Sequence, residues 1–344
     1  MGAVLSGTAC SKGPVEPTPT PVDPPRIACP APVTLVSPLG LSTNVVYGTP
    51  SVTNGTSPVT TSCTPASGSQ FPVGASQVTC TATDARQRTS SCSFAIRVQQ
   101  PAQISMTRFL AFGDSITKGE DGNYPITLSA ERLTSGAPLT LEEAFASPAQ
   151  FLIGKEYPTV LQQTLAGRYT LQTIVVHNEG LPAERAVEAI STGRFSTVLT
   201  SRLPQAVLIM EGTNDIFYGD PTAIPPAIAA LRTMIATARG RGVRPYLATV
   251  PPMNPNGFRG RLGYATVPTL NAQITGLAQS EGVALVDVHA AFNGNLTLIS
   301  TDGLHPNAAG FDLIGQTFYT ALRNTLEVTP PTAAPFATDA LSAR

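Results

Sequence analysis

Residues 108–117, Arg-Phe-Leu-Ala-Phe-Gly-Asp-Ser-Ile-Thr, decide how the larger part of the chain folds. The apolar run from Phe109 to Phe112 predicts a buried strand, and Gly113-Asp114-Ser115 predicts a tight turn into a helix. Glycine permits the backbone of such a turn, and Asp and Ser favour a helix N-terminus. A purely structural strand-to-helix turn has the same pattern, so Ser115 is a candidate nucleophile whose role depends on its neighbours.

Four further apolar segments follow this strand and alternate with helical patterns. The predicted strands are 107–112, 171–177, 206–210, 245–250 and 283–288. The helical patterns cover 157–166, 183–199, 222–239, 267–281 and about 308–325. Apolar strands separated by helices are typical of a parallel sheet that is covered on both faces. Such a sheet binds its ligand beyond the carboxyl ends of the strands.

Polar segments follow three of these strands, at the edge where a ligand is expected. They are Asn178-Glu179-Gly180, Glu211-Gly212-Thr213-Asn214-Asp215 and, after a loop, Asp302-Gly303-Leu304-His305. An oxyanion formed during acyl transfer needs hydrogen-bond donors. The backbone N–H groups of Ser115 and Gly180 and the side-chain amide of Asn214 are the candidates.

A serine hydroxyl needs a base within hydrogen-bond reach. The chain has three histidines. His177 and His289 lie at strand ends, where local structure accounts for them. His305 has Asp302 three residues before it, so Asp302 could accept the Nδ1–H and leave Nε2 to take the proton of Ser115.

Together these blocks resemble the SGNH (GDSL-type) hydrolase family. The matching residues are Gly113-Asp114-Ser115, Gly180, Gly212-x-Asn214-Asp215 and Asp302-x-x-His305, within about 107–325. The resemblance implies a flavodoxin-like three-layer αβα fold with a five-stranded parallel sheet, and ester hydrolysis that needs no metal or cofactor. It makes Ser115 the nucleophile, Asp302 and His305 its triad partners, and Gly180 and Asn214 part of the oxyanion hole. The Gly-x-Ser-x-Gly elbow of ordinary α/β-hydrolases is absent from the chain.

All five cysteines lie in the first hundred residues, and four of them fall within 26–99: Cys29, Cys63, Cys80 and Cys92. An even set in one small region predicts two disulfides and an oxidising compartment. A zinc site is the alternative, but the spacing is not that of a metal knuckle and the region has no histidine.

Residues 26–99 predict an all-β immunoglobulin-like sandwich, because short Val, Thr and Ser runs alternate with turn clusters. The segments 63–74, 78–84 and 92–94 resemble the hyalin-repeat (HYR) domain. The resemblance implies an extracellular adhesion or spacer role without chemistry. The favoured pairing of the three that four cysteines allow is Cys29–Cys92 and Cys63–Cys80. A carbohydrate-binding module is the rival, but the chain has no Trp for a sugar platform.

The other segments complete the predicted organisation. Residues 1–25 resemble the end of a secretory signal followed by a Pro-rich linker, with Cys10 as a lipidation candidate that would attach the protein to a membrane. The hydrolase domain is expected at 106–327 and an unstructured tail at 328–344. An insertion at about 118–156 is expected beside the active-site rim, with a short helix opened by Thr140-Leu-Glu-Glu143.

The predicted function is that of an exported bacterial serine esterase, in the cell envelope or outside the cell, acting on small esters with acyl chains of about two to six carbons. The alternatives are a carbohydrate O-acetylesterase acting on an acylated polysaccharide and a non-catalytic adhesion or scaffold protein. Net charge is −1 and charged residues are 12% of the chain, which argues against a nucleic-acid partner.

Overall fold

The computed structural model describes residues 22–123 and 150–328. The chain divides into two compact units, with the boundary after Gln100. The predictions for Cys10, for most of the Pro-rich linker, for the helix at 140–143 and for the tail from 329 onwards lie outside the described residues. Among the helices of the described part, none is both long enough and apolar enough to cross a membrane.

The first unit is built from strands, as the turn-rich sequence predicts. They are β1 (Arg26–Ala28), β2 (Val33–Val36), β3 (Thr43–Asn44), β4 (Ser51–Thr53), β5 (Thr60–Thr64), β6 (Gln70–Phe71), β7 (Gly74–Thr83) and β8 (Thr89–Gln99). Four strands form a sheet in the order β2-β8-β7-β5, while β1 pairs with β4 and β3 pairs with β6.

Two disulfides and a small apolar core hold this unit together. Cys63 and Cys80 are directly opposite each other on β5 and β7, and they are bonded. Cys29, just after β1, is bonded to Cys92 of β8, so this disulfide joins two sheets. This is the pairing favoured from the sequence. The core consists of Val45, Tyr47, Phe71, Val78, Cys80, Phe94, Ile96 and Val98.

The second unit contains nine strands in its described part. They are β9 (Gln103–Ile104), β10 (Arg108–Gly113), β11 (Glu120–Asp121), β12 (Gln150–Phe151), β13 (Val175–Gly180), β14 (Ala206–Met210), β15 (Arg244–Ala248), β16 (Ala284–Val286) and β17 (Glu327–Val328). Five of them form one parallel sheet in the order β13-β10-β14-β15-β16. The chain order across it is 2-1-3-4-5, the flavodoxin-like arrangement, which places a ligand crevice where the order reverses, beside β10.

Helices cover both faces of this sheet, which confirms the predicted αβα class. They are α1 (Ser115–Lys118), α2 (Tyr157–Arg168), α3 (Ala186–Ser191), α4 (Arg194–Arg202), α5 (Ile224–Gly240), α6 (Gly260–Gly263), α7 (Val267–Glu281), α8 (Val288–Phe292) and α9 (Ala308–Leu326), with 3₁₀ turns at Pro221–Ala223 and Leu296–Leu298. Side chains of β10 alternate between two cores: Leu110 and Phe112 pack into one, and Phe109 and Ala111 pack into the other.

Two element boundaries differ from the sequence prediction for identifiable reasons. The helix expected at 183–199 is two helices, α3 and α4, because Gly193 has a left-handed backbone with φ of 74° and begins the second one. The strand expected at 171–177 runs from Val175 to Gly180, because its ladder with β10 continues to the pair Gly113 and Gly180. The polar residues of this segment therefore belong to the strand itself.

Candidate active site

Ser115 lies just beyond the carboxyl end of β10, which pairs with β13 on one side and β14 on the other. Asp114 caps helix α1, because its Oδ1 accepts the N–H of Ile116 at 2.8 Å. Ser115 is the first residue of that helix and is buried. Its own N–H therefore has no acceptor within the helix, as is usual at this position.

His305 and Asp302 are brought together by the loop that precedes α9. Asp302 Oδ1 accepts the backbone N–H groups of Leu304 at 2.9 Å and of His305 at 3.0 Å. Asp302 Oδ2 is 2.6 Å from His305 Nδ1. These contacts fix both the turn of the loop and the orientation of the imidazole ring.

The imidazole connects this loop to the nucleophile turn. His305 Nε2 is 2.9 Å from Ser115 Oγ. An ionised carboxylate only accepts hydrogen bonds, so the proton of the neutral ring belongs on Nδ1 and Nε2 accepts from the serine hydroxyl. Asp302, His305 and Ser115 are all buried and form one hydrogen-bonded chain. His177, by contrast, lies on β13 opposite Leu110, and His289 lies on α8.

Gly180 lies beside the serine turn, for a reason that the sequence did not reveal. A Cβ at this position would lie 2.1 Å from the backbone nitrogen of Lys118 in α1. The glycine is therefore required by the close approach of β13 to that helix, where the sequence analysis expected close approach to a ligand. Its N–H donates to Oδ1 of Asn178 at 3.0 Å.

Asn214 follows β14 at the same edge of the sheet. Its Nδ2 donates to the carbonyl of Glu184 at 2.9 Å, and Asp114 Oδ2 lies 3.5 Å from the same nitrogen. The next residue, Asp215, has a different role, because its Oδ2 accepts the N–H of Ala186 at 2.8 Å at the start of α3. The structure thus brings Asn214 and the serine turn together through Asp114.

Comparison with known protein families finds a match in each of the two units. Residues 111–313, more than half of the chain, match the GDSL-like lipase/acylhydrolase family. The chain belongs to this family. Residues 21–98 match the HYR domain. Both matches confirm the resemblances found in the sequence.

Several solved structures are similar to this GDSL-like protein at low sequence identity. LAE5, an alpha/beta hydrolase enzyme from the metagenome of Lake Arreo in Spain, is 20% identical, with 64% of this chain and 96% of that chain covered and a TM-score of 0.47. The lipase/acylhydrolase from Enterococcus faecalis is 18% identical, with 64% and 97% covered and a TM-score of 0.47. Axe2, an acetylxylan esterase from Geobacillus stearothermophilus, is 21% identical, with 64% and 95% covered and a TM-score of 0.46. No curated protein matches the chain.

The described ends of the insertion in this GDSL-like domain lie against the predicted triad. Strands β11 and β12 pair antiparallel, which ties residue Glu120 to Phe151 across the insertion. The carbonyl of Gly122 accepts the N–H of Asp302 at 3.2 Å, and a Cβ at Gly122 would lie 2.3 Å from Asp302 Oδ1. Sequence reasoning missed this support, because nothing in the local pattern pairs residue 122 with residue 302.

A second support missed from the sequence is the ion pair of Glu184 and Arg194. Arg194 Nε donates to Glu184 Oε1 at 2.6 Å, and its Nη1 donates to the carbonyl of Glu179 at 3.0 Å. The guanidinium also lies over the ring of Phe112, 4.0 Å from its centroid. This network holds the loop whose Glu184 carbonyl accepts from Asn214.

Buried carboxyl groups lie behind the serine turn of this GDSL-like protein. Burial raises the pKa of Asp114 to about 6. Glu211 is 0% exposed, and neither of its carboxyl oxygens has a hydrogen-bond partner within the described residues. Burial, together with the charges of Asp114 and Glu184, raises the pKa of Glu211 well above its ordinary value. Glu211 therefore keeps its proton to a higher pH than an ordinary glutamate does.

Opposing effects act on the imidazole. Burial lowers the pKa of His305, but the hydrogen bond and charge of Asp302, together with the charge of Glu120, outweigh it. The pKa of His305 is therefore raised above its ordinary value of 6.5. A base must be neutral to accept a proton, so this raised pKa moves the active form toward higher pH.

Proposed function

We propose that this protein is an exported serine esterase that hydrolyses small carboxylic esters through an acyl-enzyme on Ser115. The observation that carries the proposal is the continuous hydrogen-bonded chain from Asp302 through His305 to Ser115 Oγ. It lies at the carboxyl edge of a parallel sheet in a GDSL-like domain. This is the arrangement that activates a serine hydroxyl as a nucleophile.

In the proposed reaction, His305 Nε2 takes the hydroxyl proton as Ser115 Oγ attacks the ester carbonyl carbon. The resulting imidazolium returns this proton to the departing alkoxide, which leaves Ser115 acylated. Water then attacks the acyl group with His305 again acting as base, and the acid and free serine are released. Asp302 orients the ring and stabilises the imidazolium.

The developing oxyanion is proposed to bind to the N–H groups of Ser115 and Gly180 and to the amide of Asn214. The Gly180 N–H and the Asn214 amide already have neutral acceptors, Asn178 Oδ1 at 3.0 Å and the Glu184 carbonyl at 2.9 Å. A charged oxygen is the stronger acceptor, so it can compete for the Gly180 N–H. Asn214 Nδ2 carries two protons. One bonds to the Glu184 carbonyl at 2.9 Å, and the other, whose contact with Asp114 Oδ2 is long at 3.5 Å, is the one proposed to turn to the oxyanion.

Export is proposed from the first unit. It matches the HYR domain and contains two disulfides, and disulfides persist in oxidising compartments. Lipidation of Cys10, which would anchor the exported protein to a membrane, belongs to the same proposal.

A preference for short acyl chains follows from the residues at the sheet edge. Thr117, Asn178 and Thr213 are small or polar, and each additional buried methylene is favourable by about 0.8 kcal/mol only where apolar surface receives it. We therefore expect kcat/KM to fall for acyl chains beyond about six carbons.

The test is a series of p-nitrophenyl esters from acetate to dodecanoate, with acetylated xylan beside it, using the full chain and Ser115→Ala. The expected result is hydrolysis of the short esters by the wild type and none above background by the variant. Absence of turnover on every substrate would favour a binding role, and equal activity of the variant would exclude Ser115 as nucleophile. A profile that peaks at ten carbons or more would refute the short-chain preference.

A further inference from the structure

An ion pair outside the recognised sequence blocks lies directly beside the predicted triad. Glu120 on β11 and Arg259, the residue before α6, are 4% and 9% exposed. Arg259 Nη1 is 3.2 Å from Glu120 Oε1. The backbone N–H of Arg259 also donates to the carbonyl of Asp302 at 2.8 Å. The pair is therefore tied to the same loop that carries the imidazole.

The carboxylate of this pair faces the working nitrogen of the base. Glu120 Oε2 is 3.8 Å from His305 Nε2, the atom that is 2.9 Å from Ser115 Oγ. When the ring is neutral, Nε2 offers only a lone pair, which the serine hydroxyl can use and a carboxylate cannot. When the ring is protonated, the Nε2–H is attracted to Glu120 and no longer accepts the serine proton. His305 Nε2 thus has two partners: Ser115 when the ring is neutral and Glu120 when the ring is protonated.

Charged groups reach His305 from four segments of the chain. Asp302 lies on its own loop, Glu120 on β11, Asp114 at the start of α1 and Arg259 before α6. The three carboxyl groups favour the imidazolium when they are ionised, and the guanidinium opposes it. Glu120 and Arg259 differ from Asp302 because neither is needed to hold the tautomer that accepts from Ser115.

We propose that Glu120 is a positioning residue that attracts the protonated form of His305 away from Ser115, and that Arg259 weakens this attraction by pairing with Glu120. The two residues set the pH at which Ser115 becomes a nucleophile. On activation the imidazolium loses its Nε2 proton to solvent, the Glu120–Arg259 pair remains, and the serine hydroxyl donates to the freed lone pair. This inference rests on the proposed function.

The proposal predicts pH shifts of opposite sign for two substitutions that each remove one charge. Glu120→Gln removes the charge that favours the imidazolium. The rising limb of the pH profile, the pH range over which Ser115 becomes reactive, should therefore shift to lower pH by about one unit. Arg259→Gln leaves Glu120 uncompensated, so the limb should move up by about the same amount. The double variant should lie between the two single variants, because the opposing charges are both removed. A purely structural role would lower reactivity in both variants without moving the limbs apart.

The experiment is the rate of Ser115 modification by a fluorophosphonate, measured from pH 4.5 to 9 on the full chain. The serine oxygen bonds to phosphorus, fluoride leaves, and the hydroxyl proton passes to His305. At a pH on the rising limb, Glu120→Gln should react about tenfold faster than the wild type and Arg259→Gln about tenfold slower, for a one-unit shift. Glu281→Gln, which removes a carboxylate from a surface pair with Arg232, is the matched control and should follow the wild type.

A second measurement separates failure of this inference from failure of the proposed function. NMR titration of the histidine ring signals reports the pKa of His305 directly. If Arg259→Gln does not fold, Arg259→Lys replaces it. Because this variant keeps the charge, its reactivity should rise with pH over the same range as that of the wild type. If Ser115 is labelled but its limb and the His305 pKa do not move down in Glu120→Gln, the inference is wrong. If the His305 pKa moves as expected but Ser115 is never labelled, the attraction between Glu120 and protonated His305 is confirmed and the proposed nucleophile is wrong.

Discussion

The two units of this chain are stabilised in different ways. The first unit has one small core and two disulfides, whereas the second has apolar cores on both faces of a five-stranded parallel sheet. Small domains bury too little surface to be stable on burial alone, and covalent bonds compensate for this. A large doubly covered sheet does not need them, and its rigid edge can hold side chains in fixed positions.

The disulfides that stabilise the chain and the residues proposed to act in hydrolysis lie in different units. All the candidate catalytic and oxyanion residues belong to the second unit, and the cysteines of the described part all belong to the first. Damage to the disulfides should therefore leave ester hydrolysis intact, and damage to the site should leave the first unit folded. Four expected outcomes, from the largest effect to the smallest, test this separation.

The largest effect is expected for His305→Ala, which removes the proposed base from the second unit. Members of a triad act as a unit, so kcat should fall by about 10⁴ to 10⁶. The measurement is hydrolysis of p-nitrophenyl acetate, with His289→Ala on α8 as the matched control. Activity within tenfold of the wild type in His305→Ala would transfer the role to another histidine.

A smaller loss is expected for Asn214→Ala, which removes one proposed oxyanion donor. Loss of one such donor typically lowers kcat by about 10² to 10³. KM should change little, because the oxyanion exists only in the transition state and intermediates. Asn324→Ala, on the exposed side of α9, is the control. A change confined to KM would mean that Asn214 binds the ground state and stabilises no oxyanion.

The disulfides should contribute to the stability of the first unit and not to hydrolysis. Removing one native disulfide typically costs about 2 to 5 kcal/mol of unfolding free energy. Cys29–Cys92 spans 63 residues and Cys63–Cys80 spans 17, so loss of the first should cost about 1 kcal/mol more by chain entropy. Denaturant unfolding of the paired Cys→Ala variants measures this difference. A parallel loss of esterase activity would contradict the independence of the two units.

The smallest effect concerns the buried acid Glu211 of the second unit. Its pKa is raised on folding, so the unfolded chain loses its proton first and stability falls as pH rises above the ordinary glutamate value. Glu211→Gln removes this loss, so its advantage in Tm over the wild type should grow between pH 4.5 and pH 8. We expect about 3 °C or more at the higher pH. An advantage that stays constant with pH would contradict the proton linkage.

Some features of this protein were predictable from sequence because they are local. The apolar run before Gly113 predicts β10, and the short polar blocks at strand ends give Ser115, Asn214, Asp302 and His305 as candidates, whose roles stay a prediction. The true end of β13 was missed, because it depends on pairing with β10 up to Gly180. The left-handed Gly193 inside a helical pattern was missed for the same kind of reason, since a glycine in such a pattern is compatible with continuation.

The supports of the site were not predictable, because they join residues far apart in the chain. Glu120 pairs with Arg259, and Gly122 lies against Asp302, across separations that carry no periodic signal. Arg194 and Glu184 flank α3, and nothing in the sequence links them to Asn214. Long-range ion pairs and close backbone contacts are decided by tertiary packing, which only the folded sheet specifies.

The most direct test of the central claim is the site and rate of modification by a fluorophosphonate probe at neutral pH. Tandem mass spectrometry of the labelled chain should find one adduct, on Ser115, and His305→Ala should slow its formation by about 100-fold or more, which is the usual contribution of a general base. An adduct on a different serine, or equally fast labelling without His305, would contradict the proposed nucleophile and base.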